Sequence, residues 1–524
     1  MRFCFAYWFL NGLILMLNTV YSSSIKPNIL FVVIDDLKPI LGCYGDSKAY
    51  TPNIDNLASK SFVFTNTYAQ QALCAPSRNS FLTSRRPNSL HLFDFNSYWR
   101  ETVGNFTTIP QYFKEHGYHT YSIGKIFHPG ISSNFSDDQP YSWSQKPFHP
   151  KSIEYENSRL CINNDGSLGQ NLICPVAVEY QPLGTLPDIE STKEAIHFLK
   201  KNKQEPFFLA VGFHKPHIPF RIPQQFLDFH PLSNVSLPQN RFRPSLLPTV
   251  SWNPWIDIRK REDIKKLNIA FPYGPMPDET IKKIIQAYYA SVTYTDHLLG
   301  RLLSIIDLNN TIVVLTSDHG WSLGEHGEFA KYSNFEEATR VPLIIHVPHM
   351  TQKRVHSLVE LVDLFPTLVD LADVSKPLKI CPRNVTQLDT CTEGTSLLPV
   401  MKNDKIKGKT AVFTQYPRPG VYSTWYPDSD KPSLNEIRIM GYSIKTKRYR
   451  YCEWVQFNRT NFKPDWNKVV ARELYYHIID PKEDLNLSDR SDGQLKHIMG
   501  RLRQKLLKGW RHCRMDSLTK KTKN

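Results

Sequence analysis

The residues with the most chemistry to offer are Cys74-Ala75-Pro76-Ser77-Arg78, followed by Leu82-Thr83-Ser84-Arg85. A single cysteine is ordinarily a small buried hydrophobe. A pentapeptide with four specified positions arises by chance in fewer than about one in a hundred chains of this length, which favours a chemical role over simple packing. A bare thiol can attack an ester but has no easy way to release what it captures. Oxidised to an aldehyde and hydrated, the same side chain carries one hydroxyl to attack and a second whose deprotonation expels the captured group, which divides one hard displacement into two easier steps. A cation on the opposite side would draw charge from the centre under attack. Asp35, Asp36 and Asp318 are the residues to hold one. Three carboxylates at one point repel unless a cation neutralises them, and oxygen donors suit Ca²⁺ or Mg²⁺ rather than Zn²⁺.

Buried strands must bring these groups together. Asn28–Ile34 is a continuous apolar, β-branched run that ends in Asp35-Asp36, the pattern of a strand covered on both faces. The same pattern recurs in Phe207–Phe213 before His214-Lys215, and in Thr311–Thr316 before Ser317-Asp318-His319. Helical patterns at 51–60, 109–115, 191–200 and 279–306 alternate with them. Strands alternating with helices predict an α/β fold, a mostly parallel sheet sandwiched by helices, whose ligands bind beyond the carboxyl ends of the strands. From about Asp428 short strand-like segments at 437–444, 449–457 and 473–479, then a basic helix at 494–510, predict a smaller α+β domain with an antiparallel sheet. The expected division is a signal peptide at 1–24, a catalytic domain at 25–427 and the smaller domain at 428–524.

The signal peptide is read from Arg2, the apolar run through Leu17 and the small residues Ser22-Ser23-Ser24. No later segment is apolar for long enough to span a bilayer, so no stable membrane insertion is expected. In an oxidising compartment Cys161/Cys174 and Cys381/Cys391 are expected to close short disulfide loops. Seven Asn-x-Ser/Thr sequons, at Asn105, Asn134, Asn234, Asn309, Asn384, Asn458 and Asn486, must be exposed if they carry glycans. The net charge of +15 points to polyanionic partners. A secretory chain without a basic-aromatic binding motif is not expected to bind nucleic acid, which leaves sulfated polysaccharide.

Around Cys74-Ala-Pro-Ser-Arg78 the chain resembles the sulfatase family, in which this Cys is oxidised to Cα-formylglycine by a formylglycine-generating enzyme. Family members commonly have Leu-Thr-Gly-Arg downstream, and here Ser84 replaces the Gly. The resemblance continues, in order, through Asp94–Trp99, Gly124–Gly130, Gly212–Phe220, Ser317–Trp321, Gly324–Glu328, Ala330–Asn334 and Ile439–Ser443. It implies an alkaline-phosphatase-like fold and an exo-acting lysosomal hydrolase removing the 2-O-sulfate of terminal iduronate from heparan and dermatan sulfate. It also implies that Asp35, Asp36, Asp318, His319 and modified Cys74 ligate one Ca²⁺, and that Arg78 stabilises the aldehyde hydrate. Lys125 and His128 match the pair that binds sulfate and removes the hydrate proton. His214 and Lys331 match groups on the leaving-group side, one of which protonates the departing sugar hydroxyl. Trp321, Tyr332 and Arg85 are candidates to shape the sugar pocket. The alternatives are another glycosaminoglycan sulfatase and a secreted glycosaminoglycan-binding protein without catalysis; the latter would have no need of Cys74, Arg78, Lys125, His128, His214, Asp318 and Lys331 together.

Overall fold

A computed structural model of the chain describes residues 26–163, 165–202, 206–490 and 492–514. The expected signal peptide and the basic tail Lys520–Lys523 lie outside the described residues. Seven strands form the central sheet: β1 (Asn28–Ile34), β2 (Phe62–Tyr68), β3 (His119–Gly124), β4 (Phe207–Phe213), β5 (Thr311–Ser317), β6 (Arg340–His346) and β7 (Lys353–Glu360), in the order β7-β2-β6-β5-β1-β4-β3. β6 pairs antiparallel with both of its neighbours, and the other pairings are parallel.

Alternate residues of β1 feed two separate cores, as the period of a strand requires. Leu30, Val32 and Ile34 pack with helices α3 (Pro187–Lys201) and α4 (Asp278–Leu303). Ile29, Phe31 and Val33 pack with α1 (Cys74–Thr83), α2 (Ile109–Glu115) and α5 (Leu364–Ala372). Both faces of β1 are dry, which is why its sequence is an unbroken apolar run.

A second sheet is antiparallel: β8 (Val412–Arg418), β9 (Ile439–Lys445), β10 (Tyr449–Asn458) and β11 (Lys463–Tyr476), with helix α6 (Gly493–Lys508) packed on it. The position 427/428 falls inside this sheet, between its first strand and the other three. β11 runs through 463–476 where the sequence suggested 473–479, because its half-exposed residues give the outer half no apolar alternation to read. Cys161–Cys174 and Cys381–Cys391 are disulfide-bonded. No helix among the described residues is long and apolar enough to cross a membrane. Six of the sequons are exposed, but Asn486 is buried and its side-chain amide is consumed by Leu474 N–H and the carbonyls of Leu246 and Arg472. The folded chain has no room for a glycan there.

The segment leading to Lys331 contains a buried acid with a pH consequence. Burial pushes the Glu328 carboxyl up to about 7; Oε1 accepts from Asn253 N–H and Oε2 has no partner in the structure. The folded chain therefore holds a proton that the unfolded chain has released above the ordinary carboxylate range. Stability contributed by this group is complete below about pH 4 and falls as pH rises toward 7. Glu328→Gln is expected to gain about 1–3 kcal/mol at pH 7.5 and almost nothing at pH 4.5. Thermal melts of both proteins at the two pH values check this, and an equal shift at both would refute it.

Candidate active site

The parallel pairing of β1 with β5, Ile34 opposite Ser317, sets Asp35 and Asp36 beside Asp318 at the carboxyl edge of the sheet. Asp36 is held at φ +62°, a region that a non-glycine residue seldom occupies. Its backbone N–H donates to Asp318 Oδ1 at 3.2 Å, and its carbonyl accepts from Tyr288 Oη of α4 at 2.5 Å. On the other side β3 delivers Lys125. The Gly212 Cα leaves no space for a side chain, since a Cβ there would lie 2.1 Å from the Lys125 carbonyl oxygen. Glycine on β4 thus lets the Lys125 backbone lie against the sheet edge.

Cys74 opens α1 and points into this cluster, 2% exposed. Its Sγ lies 3.0 Å from Lys331 Nζ, 3.4 Å from His319 Nε2 and 3.8 Å from both Lys125 Nζ and Asp35 Oδ1. Burial pushes the thiol up to about 12, despite Lys125 and Lys331, so the unmodified side chain is a neutral thiol. One turn on, Arg78 is fully buried and bridges Asp35 (2.8 Å) and Asp318 (2.9 Å) while donating to the carbonyls of Lys125 and Ile126. Lys125 Nζ donates to Asp35 Oδ2 at 2.5 Å, and Lys331 Nζ to Asp36 Oδ1 at 2.7 Å. Burial alone would raise the Asp35 and Asp36 carboxyls; Lys125 and Arg78 at Asp35, and Lys331 at Asp36, outweigh it and hold both acids ionised.

Three buried carboxylates thus face three buried cations. The donor set also fits a metal ion. Asp36 Oδ2 is buried without a hydrogen-bond partner. His319 Nδ1 lies 3.1 Å from the Gly320 carbonyl, an arrangement that puts the proton on Nδ1 and leaves the Nε2 lone pair facing Asp36 and Asp318 at 3.4 and 3.5 Å. Two overlapping groups have geometry compatible with an ion, Asp35-Cys74-Asp318-His319 and Asp35-Asp36-Cys74-His217. A divalent ion would give the cluster a charge of about +2, matched to an anionic ligand.

The cluster floors a cleft of about 460 Å³ whose walls include His128, His217, Glu156, Tyr332, Arg261 and Lys431. His128 Nδ1 is unpartnered, its ring lies against Phe95, and burial followed by Lys125 holds its pKa well below the ordinary histidine value. His214 stands just behind the wall; its Nδ1 lies 3.2 Å from Asp188 Oδ1, and Asp188 also accepts the backbone N–H groups of His214 and Lys215. His217, in the motif Gly212–Phe220 but not singled out from sequence, reaches the cleft with Nε2 3.9 Å from Asp36 Oδ2. Lys331 and Tyr332 sit on a strained turn, with Ala330 and Tyr332 both at φ +66°. Asn253 binds the Phe329 and Lys331 carbonyls, and the Arg418 guanidinium at the end of β8 donates to the Tyr332 carbonyl at 2.7 Å.

The protein-family description "Sulfatase" matches residues 27–374. The chain belongs to the sulfatase family. A second family description, the C-terminal region of N-sulphoglucosamine sulphohydrolase, matches residues 324–511 of this sulfatase. It is 50% identical to iduronate 2-sulfatase of Mus musculus over 514 residues, covering 90% of this chain and 93% of the relative. Identity to the Homo sapiens iduronate 2-sulfatase is also 50%, over 89% and 92% of the two chains. A solved structure of a complex with the substrate D-glucosamine-2-N,6-O-disulfate superposes with TM-score 0.65 at 22% identity, over 93% of this chain and 98% of that one. The sulfatase described here is a sulfuric ester hydrolase with the alkaline-phosphatase-like fold, and its Asp/Cys/His cluster is a candidate metal centre.

Two expectations about the sugar pocket are corrected. Arg85 is fully buried away from the cleft, its guanidinium over the Phe106 ring at 3.6 Å and donating to the carbonyls of Val385, Leu388 and Asp389. It braces the loop closed by Cys381–Cys391 and cannot meet a uronate. Trp321 is 1% exposed and packs against Tyr288 and Phe220 behind Lys331, so it supports the site without touching its contents. Tyr332 does line the cleft and donates to Asp257, which pairs with Lys431 Nζ at 2.7 Å. Lys260, Arg261 and Lys431 are the cleft cations that sequence reasoning missed. Nothing but their folding into one wall distinguishes them from other surface charges. Ser84, where relatives commonly have Gly, adopts φ +53° as the residue ending α1; its hydroxyl bonds to the Val362 carbonyl and Thr392 Oγ1, which offsets the cost of that conformation.

Proposed function

We propose that this sulfatase removes the 2-O-sulfate from iduronate at the non-reducing end of heparan sulfate and dermatan sulfate, and that it works in the lysosome after entering the secretory pathway through a signal peptide at 1–24. Residues 25–427 are assigned as the catalytic domain and 428–524 as the smaller domain. The observation that carries the reading is the position of Cys74, at the floor of a one-sugar cleft between two buried lysines, with further cations on the rim. The half-identity to two iduronate 2-sulfatases along nearly the whole chain supports the choice of sugar.

In this reading a formylglycine-generating enzyme converts Cys74, whose aldehyde hydrate would supply the attacking and releasing hydroxyls; Asp35, Asp36, Asp318, His319 and the modified residue would hold a Ca²⁺, which when bound would supply Lewis-acid polarisation of the sulfate. Lys125 and Lys331 flank Cys74 and bind sulfate oxygens, fixing the ester for attack. Arg78 holds Asp35 and Asp318 in register and offsets their charge. His128, neutral because burial disfavours its cation, accepts a proton from the hydroxyl at position 74. Asp188 holds His214 behind the cleft wall through Nδ1, and Lys331, which lines the cleft beside Cys74, gives the proton to the departing sugar oxygen. Lys431 and Arg261 on the cleft wall meet the uronate carboxylate.

The test uses oligosaccharides with a single 2-sulfated iduronate, either terminal or internal. Sulfate release from the terminal residue alone is expected, with mass spectrometry of the purified protein finding formylglycine at position 74. Release from hexosamine or from internal uronate, or an unmodified thiol in an active preparation, would reject the reading.

A further inference from the structure

An exo-acting enzyme must let the remainder of a long polyanion leave its active site, and one wall residue of the cleft also borders a second groove. Lys260 lines the active-site cleft on one side and a second groove, of about 360 Å³, on the other. The second groove contains Lys265, Asn268, Trp425 and Tyr426 in addition to its shared wall. Its aromatic rings are open to solvent: Tyr426 is 89% exposed and Trp425 37%.

These features are built into the fold. Trp425 is stacked on Phe271, with ring centroids 5.0 Å apart. The Arg259 guanidinium forms the groove floor by donating to the carbonyls of Pro254, Ile269, Ala270 and Pro272, which ties the two sides of the segment together. The loop bearing Trp425 and Tyr426 closes on itself, with Ser429 Oγ donating to the Thr424 carbonyl and Asp428 Oδ1 accepting the N–H groups of Asp430 and Lys431. That loop therefore presents Lys431 to the cleft and its aromatic pair to the groove at once. Lys260 Nζ is only loosely paired, 3.5 Å from Asp428, and Lys265 has no ion pair or side-chain hydrogen bond among the described residues.

We propose that this groove binds the hexosamine next to the terminal uronate, with its sulfate, as the polysaccharide leaves the cleft; the assignment rests on the reading of the cleft given above. The chemistry recognised is a sugar ring with one sulfate. A flat aromatic face receives the ring, and under-paired ammonium groups receive the sulfate, an arrangement of opposite charge and fixed aromatic surface that favours polyanions over neutral sugars. Lys260, between the two compartments, contacts the chain where it passes from one to the other.

The outer residues, Lys265 and Tyr426, allow a test that spares the reaction centre. The double variant Lys265→Gln/Tyr426→Ala is compared with wild type on an iduronate 2-sulfate glycoside with a small aryl aglycone, and on a heparan tetrasaccharide ending in the same sugar. Expected is a roughly tenfold loss of kcat/KM on the tetrasaccharide, carried by KM, with the aryl glycoside within about twofold of wild type. Unchanged kinetics on the tetrasaccharide, or equal losses on both substrates, would overturn the proposal. Calorimetric binding of the tetrasaccharide to both proteins separates this from the assignment of the reaction. A wild-type protein that hydrolyses neither substrate yet binds the tetrasaccharide about tenfold more tightly than the variant would fault the reaction and uphold the groove.

Discussion

Cys74→Ala is expected to lower kcat for sulfate ester hydrolysis by roughly 10⁴-fold or more while leaving the fold intact. The thiol is small, nearly fully buried and neutral, so its loss removes one sulfur atom and does not disturb the balance between the three carboxylates and three cations around it. The cavity left behind should cost on the order of 1 kcal/mol, a melting shift of a few degrees at most. Steady-state turnover, thermal melts and substrate binding measured on the same preparations separate the two effects. Activity within tenfold of wild type would mean that another group makes the bond to sulfur.

Arg78→Ala should behave in the opposite way, damaging stability and activity together. Its guanidinium has no exposed surface and satisfies Asp35, Asp318 and two backbone carbonyls at once. Removing it strands two buried carboxylates with less compensation, which costs about 3–5 kcal/mol for a broken buried pair. Arg78→Lys should recover little, because one ammonium group cannot span the two acids and the carbonyls as a planar fork does. The surplus negative charge makes the variant depend more on a divalent ion. A chelator should therefore lower its melting temperature by more than that of wild type, and added Ca²⁺ should restore part of the difference. Melts with and without chelator, alongside turnover, check this; a variant as stable as wild type in chelator would show that Arg78 does not carry the charge balance of the site.

Local order was strongly encoded where burial leaves an unambiguous pattern. β1, β4 and β5 are covered on both faces, so their central residues are apolar, and the polar residues at their ends stand out as strand-end groups. Helix 109–115 was legible as a helical pattern and the disulfides as close cysteine pairs in an oxidising setting; the Thr108 cap that accepts from Gln111 N–H emerged only in the structure. The pentapeptide at Cys74 was legible because its specified residues lie in one linear segment, where chance rarely assembles them. β11 was not, since much of it is exposed and any polar residue serves there.

What tertiary structure alone decided is which residues from distant segments share one wall. His217 rather than His214 reaches the cleft because the turn after β4 ties the latter to Asp188. Arg85 is spent on loop carbonyls, whereas Lys260, Arg261 and Lys431 face the cleft. Arg418, at the end of a strand in the second sheet, holds the turn that presents Lys331. The sequence alone determined that Cys74 and three strand-end acids would meet at the rim of a parallel sheet, because burial dictates residue type along each strand. The cationic cleft wall was decided by tertiary structure, because a solvated cation has the same sequence signature wherever it sits, and only the packing of loops sets the few ångströms that bring a surface charge to the cleft.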